Sequence, residues 1–210
     1  MSREYCSIEE IENYMSITIE SSFTSQVKIW IQWMTEYIEV QTGRVFIADA
    51  SNSEKIYEVN LQRSVSVGGY LASPTELVVN EFVNTSTAVI TLVIDGTEVS
   101  SKNILLYPAT VEDLPKNRIA LTRDSGLVFT KGEQNINLEA KWGYSIAVPG
   151  DIKFAAIVLV AGMINESWSS EGEMSSITLG RYTMSFKDKK QLKDFERTKE
   201  ILKMYTKPLV

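Results

Sequence analysis

The stretch Trp142-Gly143-Tyr144-Ser145-Ile146-Ala147-Val148-Pro149-Gly150-Asp151-Ile152, which leads into Phe154 to Ile164, decides the fold class. Just before it, Ile136, Leu138 and Ala140 alternate with Asn135, Asn137 and Glu139, the period of a half-buried strand. A turn follows. Pro149 sits where a helix can begin, and Asp151 places negative charge in the first turn. The helix behind it is apolar on every face, as expected of a segment buried on all sides. Strand and buried helix therefore meet at one junction.

Two helices are predicted before this point. Ser7 reads as an N-cap with Glu10 as its capping-box partner, and Ile8, Ile11 and Met15 follow at helical spacing to about Ser16. A second helix starts at Thr24 or Ser25 and stops at Gly43, which suits the left-handed position after a helix. Its apolar set includes Val27, Ile29, Trp30, Ile31, Trp33, Met34, Tyr37, Ile38 and Val40. That set is too wide for one stripe, so the helix should pack on two sides. Trp30 and Trp33 read first as core, with a subunit contact as the alternative. Arg44 reads as a complement to a helix dipole or one half of a salt bridge.

From Arg44 the period changes to two. Tyr57, Val59 and Leu61 alternate with polar residues, as do Val65 and Val67. Leu77 to Val83, Ala88 to Ile94, Ile104 to Tyr107 and Leu127 to Thr130 are further strand candidates. Asp95-Gly96 signals a hairpin, and Gly68-Gly69, Asp113-Leu114-Pro115 and Lys131-Gly132 mark turns. A polar loop is expected from Ser169 to Ser176. A last helix should run from Lys187 to about Tyr205, with Leu192, Phe195, Ile201, Leu202 and Tyr205 apolar and Pro208 beyond its end. The fold class is α+β: a bundle of about four helices with an antiparallel β domain, barrel or sandwich, inserted between the second and third. Residues 1–46 and 141–210 form the helical frame and 47–140 the insert.

The chain has 210 residues, 44% hydrophobic and 23% charged, ordinary globular usage. No secretory signal is expected at the N-terminus, and the longest apolar stretch is too short to span a bilayer. Cys6 is the only cysteine, so no internal disulfide or thiolate zinc site is expected, and a cytosolic setting suits it. Histidine is absent, which removes the usual general base and the commonest nitrogen metal ligand. No GxGxxG, P-loop, GxSxG or Cys/His cluster occurs. Asp49, Asn52 and Glu54 lack the glycine and ligand spacing of a calcium loop. The expectation is a non-enzyme without cofactor or metal.

Net charge is −6, unevenly spread. Lys187 to Val210 carries eight basic and four acidic residues, so the tail is +4 and the remainder −10. An acidic body with a basic tail is not the footprint of a duplex-binding domain. The tail reads as a solvated face, a DNA contact weakened by its acidic residues, or a docking element.

Thr42-Gly43-Arg44-Val45-Phe46 and Trp142 to Ile152, in this order with a strand-rich insert between, resemble the head–tail connector (adaptor) proteins of long-tailed bacteriophages. In that family an amphipathic helix ends in a TGR-x-F element and a WGY…VP-x-DI element opens the central helix. The resemblance spans Ser7 to Phe46 and Lys141 to Tyr205 and includes the short Leu179-Gly180-x-Tyr182 segment. The insert matches nothing beyond a variable β region. The motif residues Gly43, Arg44, Phe46, Trp142, Gly143, Tyr144, Pro149 and Asp151 are then structural.

The resemblance implies a virion protein of the neck, made in the host cytoplasm. It would join the portal protein to a stopper or tail-completion protein, in a homo-oligomeric ring of about twelve subunits. DNA would pass through without sequence-specific binding, and no membrane is involved. The terminal segment would dock on the portal through Lys189, Lys190, Lys193, Phe195, Arg197, Leu202 and Tyr205, and its removal should leave a folded body. Acidic walls would repel the DNA backbone, although a merely soluble surface explains the same charge. The alternatives are another neck or tail-completion protein, a β-type carbohydrate- or protein-binding module with a helical oligomerisation frame, and a carboxylate-dependent hydrolase.

Overall fold

The computed structural model describes residues 3–59, 64–65, 69–85, 89–109, 114–130, 132–168, 175–179, 182–186 and 189–207. In chain order these form α1 (Ile8–Met15), α2 (Thr24–Thr42), β1 (Ser53–Val59), β2 (Ser64–Val65), β3 (Gly69–Ser73), β4 (Glu76–Val83), β5 (Thr91–Ile94) and β6 (Thr97–Glu98). Then come β7 (Ile104–Tyr107), β8 (Lys116–Leu121), β9 (Gly132–Trp142), α3 (Gly150–Trp168), β10 (Ser175–Leu179), β11 (Tyr182–Phe186) and α4 (Lys189–Tyr205). Two short 3-10 turns precede β7 and follow β8. The fold is α+β. The chain divides into two compact units, one made of residues 1–44 and 148–210, the other of 45–147.

In the helical unit, α3 is the centre. Ile152, Ala155, Ala156, Val158, Leu159, Val160, Ala161, Ile164 and Asn165 are all buried, so every face of the helix is covered. Residues of α1, α2, α4 and β11 pack around it. Small side chains allow close approach: a Cβ on Gly162 would lie 3.0 Å from Met184 Cβ of β11. Pro149 stands one position outside α3, and its carbonyl accepts the bond from Lys153 N at 2.9 Å. Proline lacks an N–H to lose, so this boundary costs no hydrogen bond. The capping box forms as the spacing predicts: Glu10 N donates to Ser7 Oγ and Ser7 N to Glu10 Oε2. Gly43 ends α2 at φ +65°.

The segment before α4 differs from expectation. Ser175 and Ser176 are not loop but the start of β10, which pairs antiparallel with β11 from Ser175↔Phe186 to Leu179↔Tyr182. The β-branched Ile177 and Thr178 suit a ladder. Positions 169–174, Gly180, Lys187 and Pro208 lie outside the described residues.

The other unit is one antiparallel sheet in the order β6-β5-β9-β1-β2-β3-β4-β8-β7. It curls into a half-barrel, and β4 returns to β9 through Phe82↔Trp142 and Val83↔Lys141. The predicted alternation on β9 is realised: Ile136, Leu138, Ala140 and Trp142 point inward with Tyr57, Leu77, Phe82, Leu92 and Ile119. The Asp95-Gly96 hairpin has φ +50° and +76°, the pair of positive angles a type I′ turn requires. Asp95 also accepts from Thr130 and Asn135.

Leu127 to Thr130 is not a strand. Gly126 closes a 3-10 turn, Leu127 and Val128 are exposed, and Phe129 alone plugs the core while its N–H donates to Pro74 O. Conversely Lys116–Leu121, with lysine, asparagine and arginine in its first half, forms a strand that pattern alone does not reveal. Leu61, Val67, Gly68, Ala88, Asp113 and Lys131 lie outside the described residues.

Leu159 is fully buried in α3. Leu159→Asp should abolish cooperative folding, because an unpaired buried charge costs about 4 kcal/mol or more; a soluble variant with a normal melting transition would show that α3 is not core. Glu10 bonds Lys153 at 2.7 Å and the Ser7 N–H, and these hold its carboxyl below the usual glutamate value. A depressed carboxylate stabilises the fold above its unfolded value near 4.5, and that contribution is lost as pH falls through its folded value. Glu10→Gln should therefore lower the melting temperature at pH 7 but leave it nearly unchanged at pH ~3, as read by thermal unfolding across that range.

Candidate functional site

The two motif segments are almost a hundred residues apart in sequence. Both places where the chain passes between its compact units, Arg44 to Val45 and Ala147 to Val148, lie in or beside them. In the helical unit, Gly43 and Arg44 clasp the end of α4. The Arg44 guanidinium Nε donates to the Tyr205 carbonyl at 2.5 Å, Lys207 N donates to Thr42 O at 2.9 Å, and the Lys207 side chain lies 3.8 Å from where a Gly43 Cβ would be. Arg44 thus complements the negative end of α4 rather than that of its own helix α2.

In the sheet unit, Val45 to Asp49 runs beside Trp142 to Ser145. Tyr144 N donates to Val45 O, Ala48 N to Ser145 O and Asp49 N to Trp142 O, each at 2.8–2.9 Å. Phe46 is fully buried with its ring 5.4 Å from that of Tyr144. Gly143 has φ +145°, and a Cβ there would fall 2.4 Å from Ala48 Cα. Only glycine permits the two backbones to approach this closely. Trp142 donates its indole N–H to Ser53 O at 2.8 Å, packs on Phe82 and Tyr57, and carries the Lys55 ammonium 4.2 Å over its ring. All these groups are spent on structure.

α4 departs from its expected role in two residues. Phe195 is fully buried against Phe186, with ring centroids 4.8 Å apart, and Leu202 is buried beside Ile201. Neither can anchor a partner without unpacking the helical unit. Removing residues 187–210 would strip Phe195, Thr198, Ile201 and Leu202 from that core, so a folded truncated body is not expected. Tyr205 is half-buried, and Arg197 is exposed with its guanidinium 5.3 Å from the centre of the Phe154 ring. Lys189, Lys190 and Lys193 are exposed and, among the described residues, make no ion pair. They crowd the first turns of α4, the positive end of its dipole, where the first turn carries no acidic residue to offset them.

The wide apolar set of α2 implied a second packing side, and the structure leaves that side uncovered within the chain. Ile29, Trp33 and Val40 lie on one side of the helix and are 40%, 39% and 77% exposed, with exposed Glu36 among them. Trp33 and Tyr37 rest against the Tyr182 ring of β11. The unusually wide apolar set of α2 was the available signal.

Among the described residues, no three of the acidic and thiol side chains converge on a point where a metal could sit. Burial, followed by the charges of Glu10 and Glu4, pushes the Cys6 thiol up to about 12, which keeps it protonated and unreactive. No described helix is long and apolar enough to cross a membrane.

No family model matches the sequence, and no curated protein does. Among solved structures, the chain is similar in fold to a component of the neck of an empty GTA particle, reconstructed with C6 symmetry. The TM-score is 0.52 at 13% identity, over 96% of this chain and 89% of that one.

Gly143→Ala should destabilise the protein by about 3 kcal/mol, since both the positive φ and the Ala48 backbone oppose a Cβ. Gly96→Ala, also at positive φ but in open space, should cost only about 1 kcal/mol. Urea unfolding of the two variants checks the ordering.

Proposed function

We propose that this chain is a structural protein of the neck of a phage-like particle. It acts there as an adaptor that seats on the portal at the head vertex and carries a stopper or tail-completion protein. The observation that carries the reading is the fold likeness to a particle-neck component over 96% of the chain. Two features support it. The motif segments are built into backbone pairing and a glycine approach rather than into a pocket. The charge is segregated, with an acidic body and a basic last helix.

In this reading the subunits form a ring of about twelve around the axis through which DNA leaves. Carboxylates on the channel wall would keep the phosphate backbone from sticking, where a basic wall would release counterions and hold it. DNA then passes without sequence-specific contact. Docking on the portal falls to the outward side of α4: Lys189, Lys190, Lys193 and Arg197, with the exposed part of Tyr205. Three cations at the positive end of a helix are unfavourable in the free protein, so an acidic portal surface would relieve them on binding. Such charges set orientation and association rate more than affinity, and the ring supplies avidity.

The test is electron microscopy and binding with the purified portal. Rings stacked on the portal vertex support the adaptor reading; rings that bind a tail-completion protein but not the portal would move the chain to another neck position. Lys189→Glu, Lys190→Glu and Lys193→Glu combined should leave the melting temperature unchanged or slightly raised, since the substitutions suit the helix N-terminus. The same variant should slow portal association at least about 10-fold at low salt, with the difference shrinking at high salt. Equal association rates for variant and wild type would remove α4 from the docking surface.

A further inference from the structure

We infer that the first turns of α4, residues 189–193, open and close against α3 independently of the rest of the helix, and that Asn165 keeps their closed state weak. For its use in assembly the inference rests on the docking reading above; its physics rests on the helical unit alone. The anchorage of α4 is lopsided. Its buried residues are Phe195, Thr198, Ile201 and Leu202, whereas none of residues 189–194 is buried. Within the segment Gln191 and Leu192 are half-buried and the three lysines are exposed. Lys189 and Lys190 open the helix at the positive end of its dipole, Lys193 follows a turn later, and no acidic residue offsets them in the first turn. Tyr14 donates to Asp194 at 2.9 Å, which marks where firm attachment begins.

On α3 the segment meets Asn165, the one polar side chain among the buried residues of that helix. Its Nδ2 donates to Gln191 Oε1 at 3.0 Å, and among the described residues no group bonds its Oδ1. The desolvation of a half-satisfied buried amide outweighs a single neutral hydrogen bond. Opening residues 189–193 gives Asn165 to water and dissolves the turn that sets the lysines against the dipole. Both changes favour the open state, so this end of α4 belongs to the low-stability part of the unit. An acidic surface has the opposite preference. The closed helix alone offers it the dipole's positive end and the three lysines together, so it binds that state better and shifts the balance towards it. Docking and ordering are thereby coupled, and the apparent affinity for the portal scales with the closed fraction.

Residue-resolved hydrogen exchange on the free chain tests this. The amides of residues 193–197 bond the carbonyls of residues 189–193 and report the segment, while those of 199–203 report the anchored half. In the wild type the first set should be at least about 10-fold less protected than the second. Asn165→Leu, close in shape but without polar atoms, should slow exchange at 193–197 at least about 3-fold. Gln191→Met leaves the Asn165 amide wholly unpaired and should speed it. Equal protection along α4 overturns the inference. So do two variants that both speed exchange, which would make the bond a plain stabiliser, and two that change nothing, which would leave ordinary end fraying. Lys189→Glu, Lys190→Glu and Lys193→Glu combined relieve the dipole from an exposed face and should also slow exchange. No slowing there overturns the inference even where Asn165→Leu fails to fold.

With purified portal added, exchange at 193–197 should slow in the wild type. Binding without slowing overturns the coupling to docking. A chain that does not bind the portal overturns the docking reading, and exchange in the free chain still decides whether the segment opens.

Discussion

The helical unit depends on the complete burial of α3. A helix with no polar face has no stable position at a surface, so every neighbour is recruited to cover it. α1 covers it near Lys153, α2 and α4 pack along it, and β11 approaches so closely at Gly162 that a Cβ there would lie 3.0 Å from Met184 Cβ. Of the polar groups drawn in, the Asn165 amide nitrogen donates to Gln191 and the Ser185 hydroxyl to Glu166, while Asn165 Oδ1 is buried without a hydrogen-bond partner among the described residues. Burial also explains why α4 cannot be a loose docking arm. Phe195, Ile201 and Leu202 are already committed to the core, which leaves its charged side chains and Met204 exposed.

The motif segments illustrate how conspicuous residues can be structural throughout. Tryptophan, tyrosine, arginine and glycine in a short run suggest a site. Here Trp142 closes the sheet core and hydrogen-bonds Ser53, Tyr144 packs at a tilt against Phe46, Arg44 ends α4, and Gly143 lets one backbone pass another. Each residue type is needed for its shape or its donor. The junctions between these segments are held by backbone contacts. A fold likeness at 13% identity concerns backbone geometry, which is what such junctions set.

Local rules made much of this legible in advance. The capping box at Ser7 and Glu10, the stop at Gly43, the alternation of β9 and the turn at Asp95-Gly96 all depend on residues within a few positions of one another. Their physics is local, so the linear chain carries it. β8 was not legible because Lys116, Asn117 and Arg118, followed by an unbroken apolar run, give no clean alternation; β4 and β7 on either side make it a strand. Leu127 to Thr130 read as a strand by composition, yet Gly126 and the need to insert Phe129 into the core prevailed over propensity.

Periodicity and composition were enough for the α+β class, the buried central helix, the acidic body with its basic end, and the absence of histidine chemistry. None of these needs knowledge of what lies across space. Packing in three dimensions was required to turn Phe195 and Leu202 inward and Met204 outward, to set Arg44 at the end of another helix, and to bring β4 back to β9. The physical reason is that these are long-range pairings. An amphipathic helix shows how wide its apolar face is, but which part of that face is covered depends on neighbours brought in from other elements of the chain.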